Sequence, residues 1–195
     1  MKKRLFICVL IALGLTSLSA QAQMKIHRSL EVTAGVGFGK GPIFTVYPQY
    51  VMKTEVGSGF NLGVGTAARI SMPCESYIQG NTGETSKEHS VDFDIPVFIR
   101  VGYGYDCLFF NVDAGYAIGI FSIALRSTPT HDKGFFVEPH VGWKIGERNS
   151  LALGLLFQQN DIRFVAKVME DGSFSQTVSY KRVFTPAITL RYVFF

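Results

Sequence analysis

The chain has 195 residues and a formal net charge of +4, and 47% of its residues are hydrophobic against 17% charged. This length and apolar content predict one folded domain and exclude a disordered polymer. Twenty glycines, seventeen phenylalanines and eight tyrosines favour β-structure with many turns.

Residues 1–23 have the three parts of a secretory signal peptide: a basic head at 2–4, an apolar run at 5–15 and an A-x-A cleavage site at 20–22. The apolar run is too short to cross a bilayer, which takes about 20 helical residues. We therefore expect a mature domain of residues 24–195. The leader holds three basic residues and no acid, so its loss lowers the net charge from +4 to +1. The charge thus gives no argument for nucleic-acid binding.

The side chains of residues 91–105 alternate in polarity over fifteen positions. The odd positions are all apolar or aromatic and end in two tyrosines, whereas Asp92, Asp94 and Arg100 lie at even positions. Because side chains alternate across a β-strand, this pattern predicts one long strand with an apolar face and a charged face. Strands of soluble proteins usually stop at about 5–6 residues. A long strand with a polar inner face and interfacial aromatics is typical of a membrane β-barrel.

Seven further runs repeat this alternation. Together they predict eight strands, at residues 30–39, 44–53, 60–72, 91–105, 108–120, 135–145, 151–168 and 184–194. An even number of strands brings both termini to one side of a barrel. After the leader, no segment has 18 uninterrupted apolar residues, so no transmembrane helix is predicted. The predicted fold class is all-β, a transmembrane antiparallel up-and-down β-barrel of eight strands, and a soluble secreted β-barrel or sandwich is the alternative.

The connections between the runs fit this topology if the N-terminus is periplasmic. Short periplasmic turns are predicted at residues 55–58, 104–106 and 146–149. The expected extracellular connections are a short one at 39–42, polar loops at 73–89 and 122–134, and a hairpin around 170–173 that extends beyond the membrane.

Prolines and cysteines add local expectations. Proline removes a donor from the hydrogen-bond ladder, so bulges or kinks are predicted wherever it falls inside a strand. These prolines are Pro48, Pro96, Pro139 and Pro186. Cys74 lies in an expected extracellular loop and Cys107 beside a periplasmic turn. No disulfide between them is predicted, because it needs Cα atoms within about 7 Å and the apolar band of a barrel is about 25 Å tall.

Three features carry a family resemblance. The leader ends in SAQAQ at residues 19–23, an early strand is glycine-rich at 34–39, and the chain ends in an aromatic segment at 191–195. With these features the chain resembles the small eight-stranded outer-membrane barrels of the OmpA/OmpX type, and more particularly the predicted outer-membrane β-barrel proteins of Bacteroidota. The resemblance covers about residues 26–195. It implies a location in the bacterial outer membrane, contact with outer-membrane lipids, and recognition of the aromatic C-terminus by the barrel-assembly machinery.

An eight-stranded barrel has an interior just wide enough to be filled by side chains or to hold one small ligand. Because buried charges need partners, the charged residues of the inner face are predicted to form a salt-bridged, structural plug. These residues are Glu31, Lys53, Arg69, Asp92, Asp94, Arg100, Asp113, Glu138, His140, Lys144 and Arg191. A polar path or ligand site lined by Asp92, Asp94 and Arg100 is the functional alternative. The glycines between residues 35 and 39 are interpreted as room for a large inner neighbour such as Tyr47 or Phe98.

No catalytic residues are predicted. His140 with Glu138 and Asp113 could form an acid/base pair, but no nucleophile lies at a fixed spacing from them. Small outer-membrane barrels include lipid A deacylases, which need a His-x-Ser on a strand. The single such triplet, at residues 27–29, falls on the presumed periplasmic side, away from the outer leaflet. No cofactor or metal site is predicted, because no P-loop, dinucleotide fingerprint or metal-ligand spacing is present.

The expected function is that of a monomeric, non-enzymatic outer-membrane protein with a structural or surface-interaction role. The polar segments at 73–89 and 122–134 are expected either to be solvated or to bind a surface partner. A narrow transporter of small apolar molecules is the second hypothesis, and a lipid-modifying enzyme is the third. No nucleic-acid partner is expected.

Overall fold

The computed structural model describes residues 26–38, 42–56, 58–79, 85–124, 134–170 and 173–194. The predicted leader and Phe195 lie outside these residues. The described strands are β1 (Ile26–Phe38), β2 (Pro42–Glu55), β3 (Phe60–Ala67), β4 (Arg69–Gln79), β5 (Thr85–Tyr105), β6 (Leu108–Ala124), β7 (Phe135–Lys144), β8 (Ser150–Glu170) and β9 (Ser173–Phe194). Within the described ranges, no helix is long and apolar enough to cross a membrane.

The strands close into one antiparallel barrel. The last strand returns to the first, with Leu30 of β1 opposite Phe194 of β9 and Gly37 opposite Ala187. β3 and β4 are two parts of one barrel strand, because each pairs with β2 on one side and with β5 on the other. The barrel therefore has eight strands, and the predicted all-β fold class is confirmed.

The two ends of the barrel differ. Both termini of the barrel and the short connections at residues 56–59, 106–107 and 145–149 lie at one end, which we call the turn end. Asp106 closes the tightest of these turns with a φ of 54°, a left-handed conformation that Asp adopts more readily than most residues. The opposite end, where β4, β5, β8 and β9 extend, is called the loop end.

The outer surface of the barrel is apolar. Leu30, Leu153 and Leu190 are each more than half exposed, as their positions in the alternating runs predict. Large aromatic side chains are exposed towards both rims. They are Tyr103, Tyr105 and Trp143 towards the turn end, and Phe38, Phe135 and Phe184 towards the loop end.

The prolines interrupt ladders without shifting the register. Pro48 of β2 and Pro96 of β5 flank the break between β3 and β4. β2 pairs with β3 and with β4 in the same register, and so does β5, so the break shifts neither ladder. Ala68, at the break, donates its N–H to the Pro48 carbonyl oxygen at 3.1 Å. Pro139 and Pro186 also lie in unshifted register. The register shift nearest to a proline lies between Phe93 and Asp94 in the β5–β6 ladder, two residues before Pro96. The predicted bulges are therefore wrong at Pro48, Pro139 and Pro186, since a missing N–H removes a ladder bond but inserts no residue. Local kinks, the other predicted outcome, stay a prediction.

The connections at the loop end are shorter than predicted. The expected loop at 73–89 is wrong for most of its length, because β4 continues to Gln79 and β5 begins at Thr85. β6 likewise runs to Ala124, so the first residues of the expected loop at 122–134 belong to a strand. Residues 125–133 of this expected loop lie outside the described residues. The predicted hairpin around 170–173 is confirmed by the regular pairing of β8 with β9 up to Glu170 and Ser173.

The two long hairpins meet across the loop end. Three strands separate β4 from β8 in either direction around the barrel, so these strands belong to opposite walls. Their extensions nevertheless pair in parallel, from Tyr77 opposite Phe164 to Gln79 opposite Ala166. We call this pairing the mouth bridge. It joins both hairpins into one sheet with the strand order β5, β4, β8 and β9.

A pair of introduced cysteines should detect the mouth bridge. In a background in which Cys74 and Cys107 are replaced by serine, Ile78→Cys with Val165→Cys should form a disulfide on mild oxidation, because these residues are register partners. The matched control is Ile78→Cys with Val178→Cys, since Val178 lies one strand further, opposite Val165, and two strand spacings amount to about 10 Å. Non-reducing gels after proteolysis would report the bond, and equal cross-linking of both pairs would contradict the bridge.

Candidate functional site: the charged barrel interior

The structure places nine of the eleven predicted inner residues in the barrel interior, where each is buried. They are Glu31, Arg69, Asp92, Asp94, Arg100, Asp113, Glu138, His140 and Arg191. Lys53 is half-buried and Lys144 is exposed, and both line a cavity at the turn end. Nine of the eleven side chains therefore lie on the face where the alternation of their strands predicts them.

Arg100 holds two carboxylates from different strands. Its Nε lies 2.6 Å from Asp113 Oδ1, and the two residues are register partners on β5 and β6. Its Nη1 lies 2.6 Å from Glu31 Oε1 and its Nη2 lies 2.9 Å from Glu31 Oε2. This two-point contact uses the planar fork of the guanidinium, which matches a carboxylate in a way that a lysine ammonium cannot.

Arg191 of β9 joins these groups to a third carboxylate. Its Nη1 lies 2.8 Å from Asp113 Oδ2 and 3.2 Å from Glu31 Oε2. Its Nη2 lies 2.8 Å from Glu138 Oε2. We call this set of two arginines and three carboxylates the central network. It ties together five strands: β1, β5, β6, β7 and β9.

Neutral side chains complete the network. Glu138 accepts hydrogen bonds from the Tyr47 hydroxyl at 2.8 Å and from the Thr189 hydroxyl at 2.7 Å. Glu31 accepts from the Ser29 hydroxyl at 3.0 Å and from the side-chain amide of Gln49. The sequence interpretation counted charges alone and missed these residues. For Tyr47, Gln49 and Thr189, the inner positions in the alternating runs were the available signal, whereas Ser29 lies just before the first of these runs.

A second ion pair lies closer to the loop end. Arg69 Nη2 is 2.7 Å from Asp94 Oδ1, and its Nε donates to the same oxygen at 2.8 Å. The guanidinium carbon of Arg69 lies 5.8 Å from the ring centroids of both Tyr47 and Phe136, which is within the range of cation–π attraction. Asp92, further towards the loop end on β5, accepts from the Ser90 hydroxyl at 3.1 Å.

The contacts of His140 do not form an acid/base site. Its Nε2 lies 3.2 Å from Arg191 Nη1 and 3.2 Å from Asn111 Nδ2. Because guanidinium and amide nitrogens donate, Nε2 must accept. Its Nδ1 lies 3.3 Å from the Glu138 carbonyl oxygen, so this nitrogen donates. Both ring nitrogens are thus occupied by the surrounding network.

The His-x-Ser triplet at residues 27–29 shows no catalytic pairing in the contacts described. The Ser29 hydroxyl donates to Glu31, and Ser29 is buried. His27 Nε2 instead lies 4.0 Å from Glu55 Oε1 at the turn end. Within the described part of the chain, no cluster of His, Cys, Asp and Glu could hold a metal ion. Cys107 is exposed and free.

Three spaces border the described residues of the interior. At the turn end lies a cavity of about 150 Å³, whose lining includes Lys53, Lys144 and Arg100. A void of about 10 Å³ lies at the centre beside Arg69 and Glu138. This is about the space that a single water molecule needs. A third space of about 30 Å³ lies towards the loop end. Of these three spaces, the one at the centre is the smallest.

Phe98 is accommodated by glycines that the sequence interpretation did not assign to it. Gly65 and Gly115 are its register partners on the two neighbouring strands. A Cβ at Gly65 would lie 2.3 Å from Phe98 Cζ. A Cβ at Gly35 would instead meet Thr45 and Thr189. The expectation that the early glycine-rich strand makes room for Phe98 or Tyr47 is therefore wrong at Gly35.

The chain matches solved structures of other proteins. No protein-family model and no curated protein matches the chain. Among solved structures, the chain is similar to the crystal structure of Neisserial surface protein A, with a TM-score of 0.48 and 9% identity, covering 89% of this chain and 99% of that chain. It is also similar to the solid-state NMR structure of the outer membrane protein AlkL in lipid bilayers, with a TM-score of 0.31 and 13% identity, covering 85% and 90% of the two chains.

Proposed function

We propose that the chain is an integral protein of a bacterial outer membrane, exported by the signal peptide predicted at residues 1–23. The observation that carries this proposal is the inverted polarity of the closed barrel. Leucines and phenylalanines cover its exterior, whereas arginines and carboxylates fill its interior. A soluble barrel buries its apolar side chains, but a membrane barrel turns them towards lipid.

We further propose that the role of the protein is non-enzymatic and that its interior is a structural plug. The central network links five strands, and each of its members is at most 3% exposed. Such a set of buried charges is stable only while all its members are paired. The void of about 10 Å³ beside it leaves room for about one water molecule, which is too little for a hydrated ion to pass.

The proposed partners follow from the outer surface and the two ends. Outer-membrane lipids would cover the apolar exterior. The barrel-assembly machinery would read the aromatic C-terminus, where Phe194 is 43% exposed on the outer face and its ring lies 4.6 Å from that of Tyr192. A surface partner would bind the segments 73–89 and 122–134, and the barrel would act as a monomer without cofactor or nucleic acid.

Cell fractionation and planar-bilayer recording test the two parts of this proposal. The protein should remain with the outer membrane until detergent releases it, and recovery in the aqueous fraction without detergent would contradict membrane insertion. Refolded protein should give no stepwise currents in a planar bilayer. A conducting porin, recorded in the same bilayer as the positive control, should give them. Reproducible steps from the pure protein would contradict the plug and favour the alternative of a narrow transporter. A mass shift of lipid A on overexpression would instead favour an enzyme.

A further inference from the structure

Most of the surface around the small space towards the loop end is apolar, but several polar side chains that the central network does not use also border it. Its volume is about 30 Å³, and its lining includes Gly37, Thr45, Ser71, Gln158, Asn160 and Thr185. We call it the upper chamber. β1, β2, β4, β8 and β9 supply these residues, so the chamber exists because the barrel is closed.

Three buried polar atoms at the upper chamber have no hydrogen-bond partner among the described residues. They are Thr45 Oγ1, Gln158 Nε2 and Asn160 Oδ1. Thr45 and Gln158 are each only 6% exposed. Asn160 uses its other polar atom, Nδ2, to donate to the Thr185 hydroxyl at 3.0 Å. A buried donor or acceptor without a partner is destabilising, so three such atoms around one space call for a common partner.

The chemistry of the three atoms defines that partner. Gln158 Nε2 can only donate, Asn160 Oδ1 can only accept, and the Thr45 hydroxyl can do either. Water donates and accepts, and a buried water typically makes about three hydrogen bonds. A volume of about 30 Å³ exceeds the roughly 10–15 Å³ that a single water requires. A small cation fits less well, because none of the described residues that line the chamber carries a carboxylate.

We propose that the upper chamber is a hydration site that holds one or two ordered water molecules between Thr45, Gln158 and Asn160. The interior of the barrel then has two different regions. The centre is held by direct ion pairs, and the region towards the loop end is held by bound water. This assignment rests on the geometry of the chamber and is independent of the proposed cellular function.

Gly37 provides a way to displace the water. A Cβ at this position would lie 3.5 Å from the Ile43 carbonyl oxygen, 3.5 Å from Thr185 Cγ2 and 3.6 Å from Ala187 Cβ. These are ordinary contacts, so Gly37→Ala should fold and should fill part of the chamber. Gly104→Ala is the matched control at the turn end, where the nearest atom to an added Cβ is 3.8 Å away.

The experiment is water–protein NMR on the full barrel in lipid nanodiscs, with the side-chain amide of Gln158 as the probe. The wild type and Gly104→Ala should both show a cross-peak between this amide and long-lived water, and Gly37→Ala should lose at least half of its intensity. Absence of the cross-peak in the wild type would overturn the proposal. So would full intensity in a folded Gly37→Ala variant, or a shift of the Gln158 amide that saturates with added sodium, potassium or ammonium chloride.

Discussion

Replacement of Arg191 by methionine should lower the free energy of unfolding of the barrel by about 3–5 kcal/mol, the usual cost of removing one partner from a buried ion pair. Arg191 is 1% exposed and lies within 3.2 Å of carboxylate oxygens of Glu31, Asp113 and Glu138. Without it, Arg100 alone would have to balance three buried carboxylates. Urea unfolding in detergent, followed through the fluorescence of the single tryptophan, Trp143, would measure the change.

Two further variants distinguish the disruption of the central network from the mere loss of one positive charge. Lys181→Met removes an exposed cation from the same strand, and such a surface change should alter the free energy by no more than about 0.5 kcal/mol. Adding Glu138→Gln to Arg191→Met should recover part of the loss, because one uncompensated carboxylate disappears. An Arg191→Met barrel as stable as the wild type would show that the central network does not stabilise the fold.

The substitution Gly115→Ala should destabilise the barrel by about 1–3 kcal/mol, the range expected for overpacking. A Cβ at residue 115 would lie 2.1 Å from the Val97 carbonyl oxygen and 2.7 Å from the Cα of Phe98. Both are backbone atoms of β5, so a side-chain rotation cannot relieve the clash. The temperature at which the folded band is lost on gels would report the change.

Gly104→Ala is the control for this prediction, since its added Cβ would come no closer than 3.8 Å to another heavy atom. The two variants make the same chemical change on neighbouring strands of one barrel. A similar melting temperature for both would mean that β5 and β6 can separate at Gly115, and that the tight packing around Phe98 is not required for stability.

The strands could be predicted from the sequence because their signal is local. Each residue of a β-strand sends its side chain to the face opposite that of its neighbour, whatever pairs with the strand. The inner positions of Glu31, Arg100 and Arg191 follow directly from this rule. The short turns at residues 55–58 and 146–149 were predictable for a similar reason, because glycine and polar residues interrupt the alternation there.

The predictions from the sequence were wrong where the local structure depends on neighbouring strands. The predicted bulges or kinks treat Pro48 and Pro96 as separate sites, yet these prolines flank one break at Ala68 from two different strands. The segment 73–89 was predicted to be a loop because it is polar. Its described parts, residues 73–79 and 85–89, form strands instead, since their backbones pair with each other and residues 77–79 also pair with β8. A strand that is polar on both faces has no alternation of apolar and polar residues, so its sequence does not indicate a strand.

By itself, the sequence determined the class of fold and the inner face of each strand, because these depend on local periodicity. The tertiary structure alone decided which charges meet. Arg191 and Glu31 are 160 positions apart and lie in contact because β9 returns to β1. The mouth bridge and the upper chamber likewise require strands from opposite walls of the barrel. Closure sets these distances, and no stretch of sequence encodes them locally.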